Sequence, residues 1–201
     1  MTEIDHTYWY LTRASGLVAY GLLFASASFG LVMTGDLTPR WLQRFRVYDL
    51  HRFLALVTLG VTVFHIVIVL PDKFIGFSVP ELLVPFASPY EPLYMALGVF
   101  AFYVSVIVTG AFYLRPRVSY RTWRLVHYAT FGAFAMALVH GVGAGTDTEA
   151  GWARYLYAAT GLVVFNLTVY RALKGSTRGI VKPRVEQGAA VSSLETGRRG
   201  V

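Results

Sequence analysis

Four of the five histidines lie inside long apolar blocks, His51 and His65 on one block and His127 and His140 on another. An ionisable side chain in hydrocarbon is costly and usually marks a pathway or a cofactor. A single membrane histidine is as well explained by an interhelical hydrogen bond, but two matched pairs are much harder to treat as packing. The pairs are spaced 14 and 13 residues apart, which at ~1.5 Å per residue separates two levels by roughly 20 Å. Two neutral imidazoles facing one another supply both axial ligands of a haem iron. The pattern predicts two stacked bis-histidine b-type haems, His51 with His127 and His65 with His140, forming an electron path across a membrane. With no cysteine in the chain, disulfides, iron-sulfur clusters, thiolate-ligated or covalently attached haem and a cysteine nucleophile are excluded. Met33, Met95 and Met136 are axial ligands in principle, but the four histidines leave them no vacancy.

The elements that must position these residues follow from composition. Of 201 residues, 55% are hydrophobic and 14% charged, with mean hydropathy +0.51, against roughly 25% charged in a soluble domain. Five blocks reach the ~20 apolar residues that a bilayer crossing needs: Tyr8 to Met33, Leu50 to Leu70, Pro92 to Leu114, Trp123 to Val142 and Arg154 to Tyr170. Each must satisfy its own backbone polar groups in hydrocarbon, so each is read as a helix. The fold class is therefore all-α, a polytopic membrane bundle. Gly35, Pro71, Pro92, Arg115-Pro116 and the glycines 141, 143 and 145 punctuate the block ends. The first residues carry Glu3 and Asp5 rather than a basic run, so no signal peptide is expected.

Fifteen of the 18 basic residues fall in the first connection, the third connection and the tail. By the positive-inside rule these are cytoplasmic, so the N-terminus is expected outside and the C-terminus inside, in a plasma or inner membrane. The net charge of +7 then reflects topology and anionic lipid, and no nucleic-acid partner is expected. Residues 1–174 are expected to form the di-haem domain and 175–201 a disordered basic tail or docking segment. No glycine-rich dinucleotide turn follows a strand, so no FAD or NAD(P) site is expected in this chain.

Angles raise a difficulty. At ~100° per residue a 14-residue step returns to within about 40° of one face, whereas a 13-residue step lands about 140° away. The fourth span must therefore twist locally, tilt across the second or present its two haems on different flanks, and Gly132 is a candidate bend. Arg52 and Arg124, beside the ligands at the cytoplasmic end, suit haem propionates or serve as positive-inside anchors, two compatible roles. Phe64, Phe131 and Phe134 lie between the two levels as lining or plain packing, and Gly16, Gly60 and Gly132 permit close approach. The connection from Pro71 to Glu91 holds an apolar run, Leu82 to Phe86, that reads as an interfacial lid over the outer site. Asp147 and Glu149, on the outer side, either touch an acceptor or are solvated, and solvation is the expectation.

His51-Arg52 opening one span with His65 beyond it, and Trp123-Arg124-x-x-His127 opening another with His140 beyond it, resemble the ferric-reductase-like transmembrane domain shared by NADPH oxidases and ferric reductases. The first-span stretch Tyr10 to Leu17, Val139-His140-Gly141 and Gly145-Thr146-Asp147 are similar to stand-alone bacterial members. The resemblance runs from about Tyr8 to Tyr170. It implies that the same helices hold two haems at these unequal spacings, and that Arg13 pairs an outer-haem propionate, the alternative being snorkelling to the headgroups. It also implies the haem membrane component of an oxidoreductase, fed by a separate flavoprotein or quinol donor and reducing an external acceptor of unknown identity. Two other readings stand beside it. One is a quinol-linked cytochrome b subunit of a respiratory or photosynthetic complex; the other is a haem-free scaffold or proton conduit using titrating histidines.

Overall fold

The computed structural model describes residues 6–34, 44–72 and 76–180. Six α-helices follow in order: α1 (Thr7–Thr34), α2 (Arg44–Val69), α3 (Val79–Leu83), α4 (Pro92–Tyr113), α5 (Tyr120–Ala144) and α6 (Gly151–Ile180), with single 3-10 turns at Arg115–Arg117 and Thr146–Glu149. No strand occurs among the described residues. Five helices are long and apolar enough to cross a membrane, over Thr7–Met33, Arg46–Val69, Pro92–Tyr113, Tyr120–Ala144 and Gly151–Lys174. This is a multi-pass membrane bundle, as the apolar blocks predict.

The helices outrun the blocks because their polar ends stay helical. Ser119 caps α5 by accepting the Thr122 N–H at 3.1 Å, which starts the helix three residues before Trp123. Pro92 opens α4 in its first turn, where the missing N–H costs no hydrogen bond. At its far end α6 continues to Ile180, while residues 181–201 of the expected tail, and Gly35 and Lys73, lie outside the described residues.

Consecutive helices form the closest pairs, α1 on α2 and α4 on α5. Helix α6 lies against α1 and α5, and the buried cluster of Tyr20, Leu31, Phe134, Ala153, Tyr157 and Val164 fills that seam. In contrast α2 and α5, which carry the four histidines, barely touch. The two pairs meet through α1 with α5 and α2 with α4, and a slot lies between α2 and α5. Phe53, Ile107, Leu125, Leu162 and Phe165 are more than half exposed on the outer faces. Apolar side chains so placed need an apolar solvent, which the acyl chains supply.

Helix α5 runs unbroken through Gly132, and the space beside that glycine is open. The angular difficulty is met by different flanks: His127 faces His51 of α2, whereas His140 is backed against α4. Phe134 stacks on Tyr20 in the seam, centroids 5.9 Å apart, and so packs rather than lines the space between the histidine levels, and Phe64 is half exposed.

Candidate functional site

Three of the four histidines are oriented by a hydrogen bond that leaves one ring nitrogen available. His51 donates from Nδ1 to the Ser26 carbonyl at 2.9 Å, His65 from Nδ1 to the Thr12 carbonyl at 3.0 Å, and His140 from Nδ1 to the Tyr94 carbonyl at 2.8 Å. These carbonyls belong to α1 and α4, the helices that back α2 and α5. A ring whose Nδ1–H is held by a carbonyl is fixed in the tautomer with Nε2 free, the usual arrangement of a metal-ligating histidine. Ser15 Oγ at 3.2 Å from His65 and Ser26 Oγ at 3.3 Å from His51 add to the same nitrogens.

Glycines make room for three of the rings. A Cβ at Gly16 would stand 2.9 Å from His65 Cε1, one at Gly98 2.7 Å from His140 Nδ1, and one at Gly30 3.3 Å from His51 Cε1. Gly16 is foreseeable as a close-approach residue, while Gly30 and Gly98 are not. Their only sequence signal is a small residue in an apolar block opposite a histidine.

The His51 and His127 ring centroids are 6.1 Å apart and their planes cross at 84°. Iron held between two Nε2 atoms at about 2 Å, as in other metal–imidazole bonds, needs centroids roughly 6 Å apart. His65 and His140 share a cavity of about 460 Å³, within the range of roughly 300–1,000 Å³ typical of cofactor sites. Its walls are mostly apolar and include Gly16, Thr58, Val99, Ala137, and Phe77, Leu82 and Tyr90 from the connection between α2 and α4. That connection is pinned over the cavity by Tyr103 donating to the Leu83 carbonyl at 2.5 Å and Tyr90 donating to the Ala144 carbonyl at 3.2 Å, as a lid would be.

The donor sets fit haem better than a bare ion. No group of three or more metal-ligating side chains occurs among the described residues, so each level offers two nitrogens. Two are too few for a closed zinc site and are the number needed when a porphyrin supplies the other four. The sparse contact between α2 and α5 leaves room between the helices that carry the histidines.

Arg13 lies on the cavity wall with its guanidinium over Trp9 at 4.1 Å. It forms an ion pair with Asp147, Nε donating to Oδ2 at 2.9 Å. The Asp147 side chain is only 13% exposed, so the expectation that it is solvated fails. A carboxylate on the 3-10 turn is brought to α1 across the bundle, a proximity that sequence distance hides. Arg52 sits over Phe112 at 4.8 Å. Arg124 donates to the Tyr128 hydroxyl at 2.7 Å and lies near the Tyr120 ring. Both are exposed at the His51/His127 end.

The chain is thus a multi-pass helical bundle in which His51 meets His127 and His65 shares a cavity with His140. The chain matches the family described as ferric reductase like transmembrane component over residues 15–139, more than half its length, and it belongs to that family. Members usually bind haem. The match includes His51, His65 and His127 and ends one residue before His140. No curated protein and no solved structure matches the chain.

Proposed function

We propose that the protein carries electrons across the bilayer through two stacked bis-histidine b-type haems, from a cytoplasmic or membrane donor to an acceptor outside. The observation that carries this reading is the common setting of His51, His65 and His140, each with Nδ1 on a backbone carbonyl and Nε2 left for a metal. When bound, the haems supply reversible one-electron oxidation and reduction of iron. The residues do the rest. His51 with His127, and His65 with His140, would hold the two haems, which would supply one-electron transfer rather than chemistry on a bound substrate. Arg13 on the cavity wall, and Arg52 and Arg124 at the opposite end, balance propionate charge. Leu82, Phe77 and Tyr90 keep water from the His65/His140 level. By the distribution of arginine and lysine, the His51/His127 level is cytoplasmic. A separate flavoprotein or quinol is the donor, and residues 1–174 form the conduit.

A pyridine haemochrome assay on purified protein tests the reading. About two haems per chain are expected, with His51→Ala and His127→Ala removing one and His65→Ala and His140→Ala the other. A protein without a Soret band would be a haem-free scaffold. Joint loss on changing His51 and His140 would overturn the layered pairing.

A further inference from the structure

The geometry points to Trp123 as the positioning residue for His127, holding its imidazole plane across that of His51; the inference rests on the di-haem reading. Three histidines are oriented by a carbonyl on Nδ1. Among the described residues His127 has ring contacts in place of such a bond. It stacks on Trp123 one turn earlier in α5, with centroids 5.2 Å apart and planes only 15° from parallel. That distance lies within the range of about 4.5–7 Å favoured by aromatic pairs.

The histidine χ2 torsion joins an sp³ to an sp² centre and has a broad, shallow profile. The rotamer therefore leaves the ring plane soft, and a contact has to set it. Trp123 can do so because it is itself clamped. The Arg115 guanidinium, from the turn after α4, lies 5.0 Å from its ring centroid, and Tyr120 stacks on it at 5.9 Å and 29°. The column Tyr120, Trp123, His127 thus fixes one axial ring, while the Ser26 carbonyl fixes the other. The result is the 84° crossing of the two imidazoles.

The relative angle of two axial imidazole planes controls the splitting of the iron d orbitals. Crossed planes leave two orbitals nearly degenerate and give oxidised low-spin iron a strongly anisotropic electron paramagnetic resonance signal; parallel planes give a rhombic one. The test uses oxidised, haem-loaded full-length protein at low temperature. The signal of the His51/His127 level is the one that His51→Ala removes. In the unaltered protein it is expected to be strongly anisotropic. Trp123→Leu should replace it with a rhombic or broadened signal while the His65/His140 signal stays unchanged, and Trp123→Phe, which keeps a flat face, should restore it. Trp123→Met keeps bulk without a flat face and serves where the leucine variant does not accumulate. An unchanged signal in Trp123→Leu or Trp123→Met, or a Trp123→Phe spectrum shifted as far as that of Trp123→Leu, overturns the inference and leaves the di-haem reading standing. A protein that binds no haem overturns both.

Discussion

Gly98 of α4 lies directly behind the imidazole of His140 on α5, so that a Cβ at residue 98 would stand 2.7 Å from Nδ1, the atom hydrogen-bonded to the Tyr94 carbonyl at 2.8 Å. The two contacts are coupled, because the ring reaches the carbonyl only while the glycine stays bare. Gly98→Ala is expected to push the ring off that carbonyl and weaken haem binding at the His65/His140 level about 10–100-fold, the usual cost of losing a ligand's supporting contact. Gly16→Ala, at 2.9 Å from His65, should act similarly, and Gly30→Ala, at 3.3 Å from His51, less. Haem titration of each variant, read against the unaltered protein, checks the order.

The ion pair between Arg13 and Asp147 ties α1 to the turn before α6. In the haem-free protein Asp147→Asn alone leaves Arg13, 29% exposed, without its partner carboxylate and should lower stability by on the order of 2 kcal/mol, between the costs typical of exposed and of buried pairs. Combining it with Arg13→Gln should recover much of that loss. A double-mutant cycle on thermal unfolding in detergent measures the coupling, and additive effects would show that the pair contributes nothing to the fold.

Tyr20 and Thr160 hydrogen-bond at 2.5 Å in the buried seam. Thr160→Val removes the partner and strands the phenol hydroxyl, for an expected cost of about 1–3 kcal/mol. Adding Tyr20→Phe removes the stranded group as well and should bring stability back close to that of the unaltered protein. Thermal unfolding of the single and double variants reads both effects.

At the start of α3, the Ser78 N–H donates to Glu81 Oε2 at 2.6 Å and the Ser78 hydroxyl donates to the same oxygen at 2.8 Å. The backbone N–H first, and then the hydroxyl, hold the Glu81 carboxyl below its ordinary value of 4.5. A depressed carboxylate stabilises the folded state above the ordinary value, and the contribution is lost as pH falls through the depressed one. Hydrogen exchange in the lid segment should accelerate over that acidic window. In Glu81→Gln it should be faster throughout and lose this pH dependence.

The histidines were legible because imidazole is rare in hydrocarbon and the two blocks repeat the pattern at nearly equal spacing. The five spanning helices were legible because bilayer thickness sets their length. Helix ends were not, since α2 and α5 begin on polar residues ahead of their apolar blocks, at Arg44 and at Tyr120 behind the Ser119 cap. The carbonyl partners Thr12, Ser26 and Tyr94 could not be read either, because every residue has a carbonyl and only packing chooses among them. The same holds for Asp147, whose partner is 134 residues away in the chain. The 13-residue step on α5 looked awkward on the assumption that both of its histidines must face one helix. The structure answers by giving His127 a neighbour on α2 and His140 a backing on α4.

The uneven packing of the helices also bears on how the molecule is assembled. Helices α1 with α2, and α4 with α5, are neighbours in the chain as well as in space, so each hairpin can close as soon as its second helix is synthesised and inserted. The seam that α6 makes with α1 and α5 joins residues as distant as Tyr20 and Thr160 and must wait for the last helix. With α2 and α5 so little engaged, both walls of the space between them stand before that final helix arrives, and α6 closes the bundle from the side of α1 and α5.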